Sequence, residues 1–209
     1  MKTKEYWIEQ LGKGWAYALK DTLKSEYMDK LFNVLTMEYS LKNIVPKQED
    51  IFGFFKLCPR EKTRIVVLTD EPIMNPSKIF ECIYRQYYLN TDELFLEFNH
   101  DLEKWAEQGI LVISTSMTAN KSNYGAHTKY WKKFIEAVIK DIEYNMPGTI
   151  FMLWGDEAKK YSDKLPNSHV FSWTTPGENL EDKDWHCPNF KQVDDLLNYI
   201  HGKEIRIIW

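Results

Sequence analysis

The sequence predicts an α/β fold, a three-layer α/β/α sandwich around a central parallel sheet of four strands. Three observations carry this prediction. Four short apolar runs, at 64–70, 109–115, 149–154 and 169–173, are rich in Val, Ile and Phe. Unbroken runs of that length suit strands covered on both faces, as in a parallel sheet. Stretches of helical periodicity separate them, which gives βαβ units, and the right-handed crossover rule leaves few topologies. Finally, 209 residues with 44% apolar content are enough for one domain, residues 1–209, with a sizeable core.

Residues 5–22 and 24–38 place Trp7, Leu11, Trp15, Leu19, Leu23, Tyr27, Leu31 and Leu35 at helical spacing, which predicts two amphipathic helices packed on the core within the first 50 residues. Residues 41–50 read as a connection, and a short helix from Asp50 ends before Pro59. After the first strand, Pro72 and Pro76 force a kinked loop, and Ser77 is placed to cap a helix through Ile79, Cys82, Ile83 and Tyr87. A further helix runs from Asn90 or Thr91 through Trp105 and stops at Gly109. A polar loop at 116–128 precedes a helix from Trp131 to Tyr144. A short helix holds Ala158 and Tyr161, an acidic stretch covers 178–187, and a last helix covers Asn189 to Ile200.

The net charge of −4 argues against a generally basic nucleic-acid binder. Lys121 with Lys129, Lys132 and Lys133 is a local basic group, readable as a phosphate contact or as a solvated helix face. Three cysteines, Cys58, Cys82 and Cys187, stand far apart with no metal-ligand spacing, so free thiols in a reducing, intracellular compartment are expected. No apolar run has the length of a membrane span. No cofactor and no metal are expected, His127 and His186 read as surface or capping residues, and the expected state is a monomer.

The stretch from Arg64 to Pro76 organises the rest. Its strand ends in two adjacent carboxylates, Asp70 and Glu71, and parallel sheets bind ligands at the carboxyl ends of their strands. The bland alternative is a solvated turn.

From about residue 50 onward the chain resembles the uracil-DNA glycosylases. Trp105-Ala106-Glu107-Gln108-Gly109-Ile110-Leu111-Val112 is similar to that family's Trp-Ala-x-Gln-Gly-Val-Leu-Leu. Tyr130-Trp131 through Ile139 is similar to its Gly-Trp-x-x-Phe-x-x-x-Val-Ile. Phe151-Met152-Leu153-Trp154-Gly155-Asp156-Glu157-Ala158 is similar to its Phe-Leu-Leu-Trp-Gly-x-x-Ala. His186 to Phe190 and Gly202 to Trp209 match its C-terminal pattern.

The working motifs differ. The family's Gly-Gln-Asp-Pro-Tyr-His loop is here Thr69-Asp70-Glu71-Pro72-Ile73-Met74. The family aspartate, which orients water and stabilises a cationic sugar, becomes Glu71, one methylene longer. A displacement near 1 Å can cost about a hundredfold in rate. The tyrosine that walls off the uracil 5-position becomes Ile73, and the asparagine that reads the uracil edge becomes Ser114. Such a bidentate amide contact carries roughly 1–3 kcal/mol of discrimination. The family's His-Pro-Ser-Pro-Leu becomes Trp173-Thr174-Thr175-Pro176-Gly177, which replaces a histidine donor and the wedge leucine.

The resemblance implies a protein that handles a flipped DNA base, and the departures direct it to a 5-substituted pyrimidine rather than plain uracil. Glu71 and Asp70 are the expected catalytic residues; Ile73, Ser114, Trp173, Thr174 and Thr175 would contact the base; Ser77, Lys121, Pro176 and Gly177 would contact DNA. Without the wedge, single-stranded or locally opened duplex is the expected partner. Two alternatives stand beside this. One is substitution at the 5-position of a modified thymine without excision, as in viral DNA hypermodification. The other is a catalytically silent module that binds DNA or a protein partner.

Overall fold

A computed structural model describes residues 4–40, 43–89, 101–176, 185–202 and 207–209. Its N-terminal part departs from two continuous helices. Gly12 adopts φ +74°, a conformation open to glycine but strained for L side chains, and it separates α1 (Lys4–Gln10) from α2 (Lys13–Ala18). Leu19 then divides α2 from α3 (Lys20–Leu23), and α4 (Glu26–Ser40) follows. The apolar spacing still buries Trp7, Leu11, Trp15, Leu23, Leu31 and Leu35 in one cluster.

The expected connection after α4 contains a strand, β1 (Ile44–Val45), before α5 (Gly53–Leu57). β2 (Ile65–Thr69) is buried along its whole length. α6 (Ser77–Tyr87) begins at the expected residue, but Ser77 does not cap it. The Asn75 carboxamide oxygen instead accepts from the Ser77 backbone N–H at 3.0 Å and from its hydroxyl. Of the next expected helix, residues 90–100 lie outside the described residues, and α7 (Glu103–Glu107) leads into β3 (Ile110–Ser114). The expected polar loop is largely buried from Thr115 to Ala119 and contains β4 (Ala119–Asn120), which pairs antiparallel with β1. α8 (Thr128–Asn145), β5 (Ile150–Trp154), α9 (Asp156–Lys159), β6 (His169–Trp173) and α10 (Asn189–His201) complete the described elements.

The four long strands form one parallel sheet in the order β3-β2-β5-β6. Alternation along each strand supplies two cores. Val66, Leu68, Leu111, Ile113, Phe151 and Leu153 face a cluster with Trp131, Phe134 and Val138 of α8 and the N-terminal helices. Ile65, Val67, Ile110, Val112, Met152 and Trp154 face a second cluster with α6, α7 and α10 through Ile79, Ile83, Trp105 and Phe190. Two covered faces explain the unbroken apolar runs. β6, at the edge, is only partly buried. Among the described residues no helix is long and apolar enough to cross a membrane.

Gly109 sets the entry to β3. It adopts φ +86°, and a Cβ there would lie 2.3 Å from the Lys62 carbonyl oxygen. Gly109→Ala combines a clash with backbone and a left-handed conformation. It is expected to lower unfolding stability by about 3 kcal/mol, measured as a shifted urea midpoint with an unchanged slope.

Candidate functional site

The last residues of the four strands form one register row: Ser114, Thr69, Trp154 and Trp173. By the alternation of each strand this row faces the α6 and α10 side. One half of it is filled. Trp154 is fully buried, donates from Nε1 to the Asn189 side-chain oxygen at 2.9 Å, and meets the Trp185 ring edge-on at 5.2 Å. Trp173 packs beside this cluster. The other half ends in two short hydroxyl side chains, and there a cavity of about 240 Å3 opens. Pro46, Ile51 and Phe54 wall it on one side, Pro72, Ile73 and Met74 on another, and Val112, Ile113 and Met117 close it, with Asp50 as a further polar group.

The backbone around the cavity is held by its own hydroxyls. Thr69 Oγ1 donates to the Glu71 carbonyl at 2.7 Å, Ser114 Oγ to the Ser116 carbonyl at 2.8 Å, and Ser116 Oγ to the Thr118 carbonyl at 2.7 Å. Each is a link from a residue to the carbonyl two positions on, the pattern by which short hydroxyl side chains stabilise turns. Past the strand ends, Thr115 N–H donates to the Thr69 carbonyl at 2.8 Å and Ser116 N–H to the Asp70 carbonyl at 3.2 Å, so β2 and β3 stay joined up to the cavity.

The two carboxylates diverge. Asp70 turns to the start of α9, where its Oδ1 accepts the Ala158 N–H at 2.8 Å. Gly155, at φ +116°, makes room: a Cβ there would lie 2.4 Å from the Asp70 carboxylate. Burial raises the Asp70 pKa, and the N–H groups of Ala158, Glu157 and Asp156 oppose that rise. Glu71 turns the other way. Its Oε1 accepts the Gly125 N–H at 2.6 Å, while Oε2 is buried with no hydrogen-bond partner among the described residues. Burial pushes its pKa up to about 7; the Gly125 N–H opposes this and the neighbouring Asp70 charge adds to it.

The candidate residues therefore separate into groups. Ile73 and Ser114 line the cavity, and Glu71 stands immediately before the lining residue Pro72. Trp173 does not line it. It lies three strands from Ser114, roughly 14 Å across the sheet at about 4.8 Å per strand. Thr174 and Thr175 follow it at that far end. The Thr174 carbonyl accepts from Trp185 Nε1 at 3.2 Å, and Thr175 Oγ1 is buried without a partner among the described residues. Pro176 is half-buried, Gly177 lies outside the described residues, and Ser77 and Lys121 are exposed.

His127 is buried rather than at the surface. Its Nδ1 is 2.9 Å from Thr118 Oγ1, which also accepts from Trp131 Nε1 at 2.7 Å, and Nε2 lies 3.9 Å from Glu38. Burial lowers its pKa, with Glu38 opposing. Sequence reasoning missed Thr69, Asp50, Met117 and Gly125.

No family model matches the chain. It is similar to a uracil-DNA glycosylase of Fusobacterium nucleatum, 26% identical over 219 residues, which covers 95% of this chain and 96% of that protein. It is similar also to one of Aliivibrio fischeri, 28% identical over 212 residues and covering 91% and 95% respectively. A third, from Equine herpesvirus 1, is 26% identical over 211 residues, with 91% of this chain and 67% of that protein covered. Among solved structures, mimivirus uracil-DNA glycosylase superposes with a TM-score of 0.72 at 16% identity, over 97% of this chain and 88% of that one. A variant of the mimivirus protein in complex with UGI gives the same score at 18% identity, over 97% and 90%.

Glu71 makes stability depend on pH. Its folded pKa lies above the ordinary value of 4.5, so between about 4.5 and 7 the folded state holds more protons than the unfolded one. Stability from this group is full below that window and is lost as pH rises through 7. Glu71→Gln is therefore expected to be more stable than the parent at pH 8, by on the order of 1 kcal/mol after allowing for solvent screening. Thermal melts should show that advantage disappear at pH 4.5.

Proposed function

We propose that this chain, a member of the uracil-DNA glycosylase superfamily, binds a nucleobase flipped out of DNA in the cavity beside Ser114 and excises a 5-substituted pyrimidine in preference to plain uracil. One observation carries this reading. A half-buried carboxylate, Glu71, is aimed by a backbone N–H, keeps one oxygen unpartnered, and directly precedes Pro72, a lining residue of a cavity with apolar walls. Dry surroundings strengthen such a charge toward a cationic sugar or a polarised water. Ile73 stands where the family resemblance places the tyrosine that excludes 5-substituents, and it forms part of the cavity wall. Asp70, engaged with α9, acts on the reaction by fixing the β2 tip. Single-stranded or locally opened DNA fits a chain without the family's wedge leucine.

The raised pKa of Glu71 also suits a general base, which supports a second reading: proton abstraction during substitution at the 5-position with the glycosidic bond intact.

The test is a base-release panel on single-stranded oligonucleotides carrying uracil, thymine, 5-hydroxymethyluracil or bulkier 5-substituted pyrimidines, read by nucleoside and free-base mass spectrometry. Release of a 5-substituted base is expected to exceed release of uracil. Glu71→Gln should lower release by about a hundredfold or more. Because the ionised carboxylate is the working form, the rate should climb with pH to a plateau above about 7. A new base mass with an intact glycosidic bond selects the second reading, and no turnover on any substrate removes both.

A further inference from the structure

The cavity contains three polar side chains, Thr69, Ser114 and Asp50. Each can only accept. Thr69 Oγ1 gives its proton to the Glu71 carbonyl and Ser114 Oγ gives its proton to the Ser116 carbonyl. Both residues are buried, at 2% and 3% exposure, so rotating either hydroxyl toward a ligand acceptor would strip a backbone carbonyl of its donor. Among the described residues no other donor reaches those two carbonyls. Asp50 is exposed and takes part in no ion pair among the described residues, so its carboxylate adds a negative charge at the cavity. A carboxylate accepts and does not donate when ionised. An asparagine in place of Ser114 would offer an N–H; the serine, with its proton engaged, does not.

We infer that this cavity selects a pyrimidine carrying an amino group, whose N–H bonds meet the acceptors of Thr69 and Ser114 and whose positive charge, when protonated, meets Asp50. The inference rests on reading the cavity as the base pocket and narrows that reading to one class of substituent. A substituent that only accepts, such as an aldehyde, would face three acceptors and meet no donor among these side chains. The apolar walls formed by Ile73, Met74 and Met117 give it no alternative side-chain donor. Such mismatched polar groups are what separate close analogues most strongly.

The probes are short single-stranded oligonucleotides that differ at one position, carrying 5-aminomethyluracil, 5-formyluracil or thymine. Binding is followed by fluorescence anisotropy at fixed salt. The aminomethyl probe is expected to bind at least about tenfold more tightly than the formyl probe. Asp50→Asn and Ser114→Ala should each reduce that ratio by about threefold or more. Because Asp50 is exposed, its variant should fold even if Ser114→Ala does not. Equal binding of the two probes, or a preference for formyl, overturns the inference, as does a preference that survives unchanged in both variants. Preference without base release leaves the inference standing and removes excision. Release without preference removes the inference alone, and no binding of any probe removes both.

Discussion

The seat of Asp70 on the first turn of α9 governs the geometry of the whole carboxyl end of the sheet. A half-buried carboxylate needs donors, and the unpaired N–H groups at a helix start supply them. Gly155 provides the space. With Asp70 fixed in that direction, Glu71 turns to the opposite side, toward Gly125, and Pro72, Ile73 and Met74 line the cavity beside Thr69 and Ser114 at the ends of β2 and β3. Adjacent acids that would repel one another in a single pocket are thereby given separate surroundings. One is surrounded by amide donors, and the other keeps an oxygen to spare.

Most of the architecture was legible in the residues. Each of the four apolar runs became a strand within a residue or so of its expected ends; for β2, β3 and β5, burial on two faces leaves a composition that hardly admits another reading, while β6 is only partly buried. The helix starting at Ser77 and the one over α8 followed from periodicity in the same way. What the sequence hid depended on contacts between distant segments. β1 and β4 are two residues long, and neither is a strand without the other. The first helix broke at Gly12, one of two glycines inside its periodic pattern, and again at Leu19.

The site was legible by position and obscure by grouping. Ile73 and Ser114, singled out because they stand near strand ends and at family motif positions, line one cavity, and Glu71, singled out in the same way, precedes its lining residue Pro72. Trp173 was singled out by the same logic yet belongs to the far side of the row, because cross-strand order decides which ends are neighbours. The size of the side chains along that row then decides where space remains: two indoles close one half and two short hydroxyls leave the other open. Neither Thr69 nor Gly125 has a chemistry that draws notice in a sequence. Their parts come from an exchanged proton and a backbone N–H, which no residue type announces.

The hydroxyl links from Thr69, Ser114 and Ser116 to carbonyls two residues on have a consequence for how this protein can change. The turns around the cavity are braced by their own hydroxyls and take no hydrogen bond from the apolar side chains that line it. Ile73 and Met74, neither of them fully buried, can thus be exchanged for other apolar shapes without breaking the hydrogen bonds of the frame. Such a design separates the scaffold of the cavity from its upholstery, and it gives a lineage, or a protein engineer, freedom to reshape the cavity in small steps.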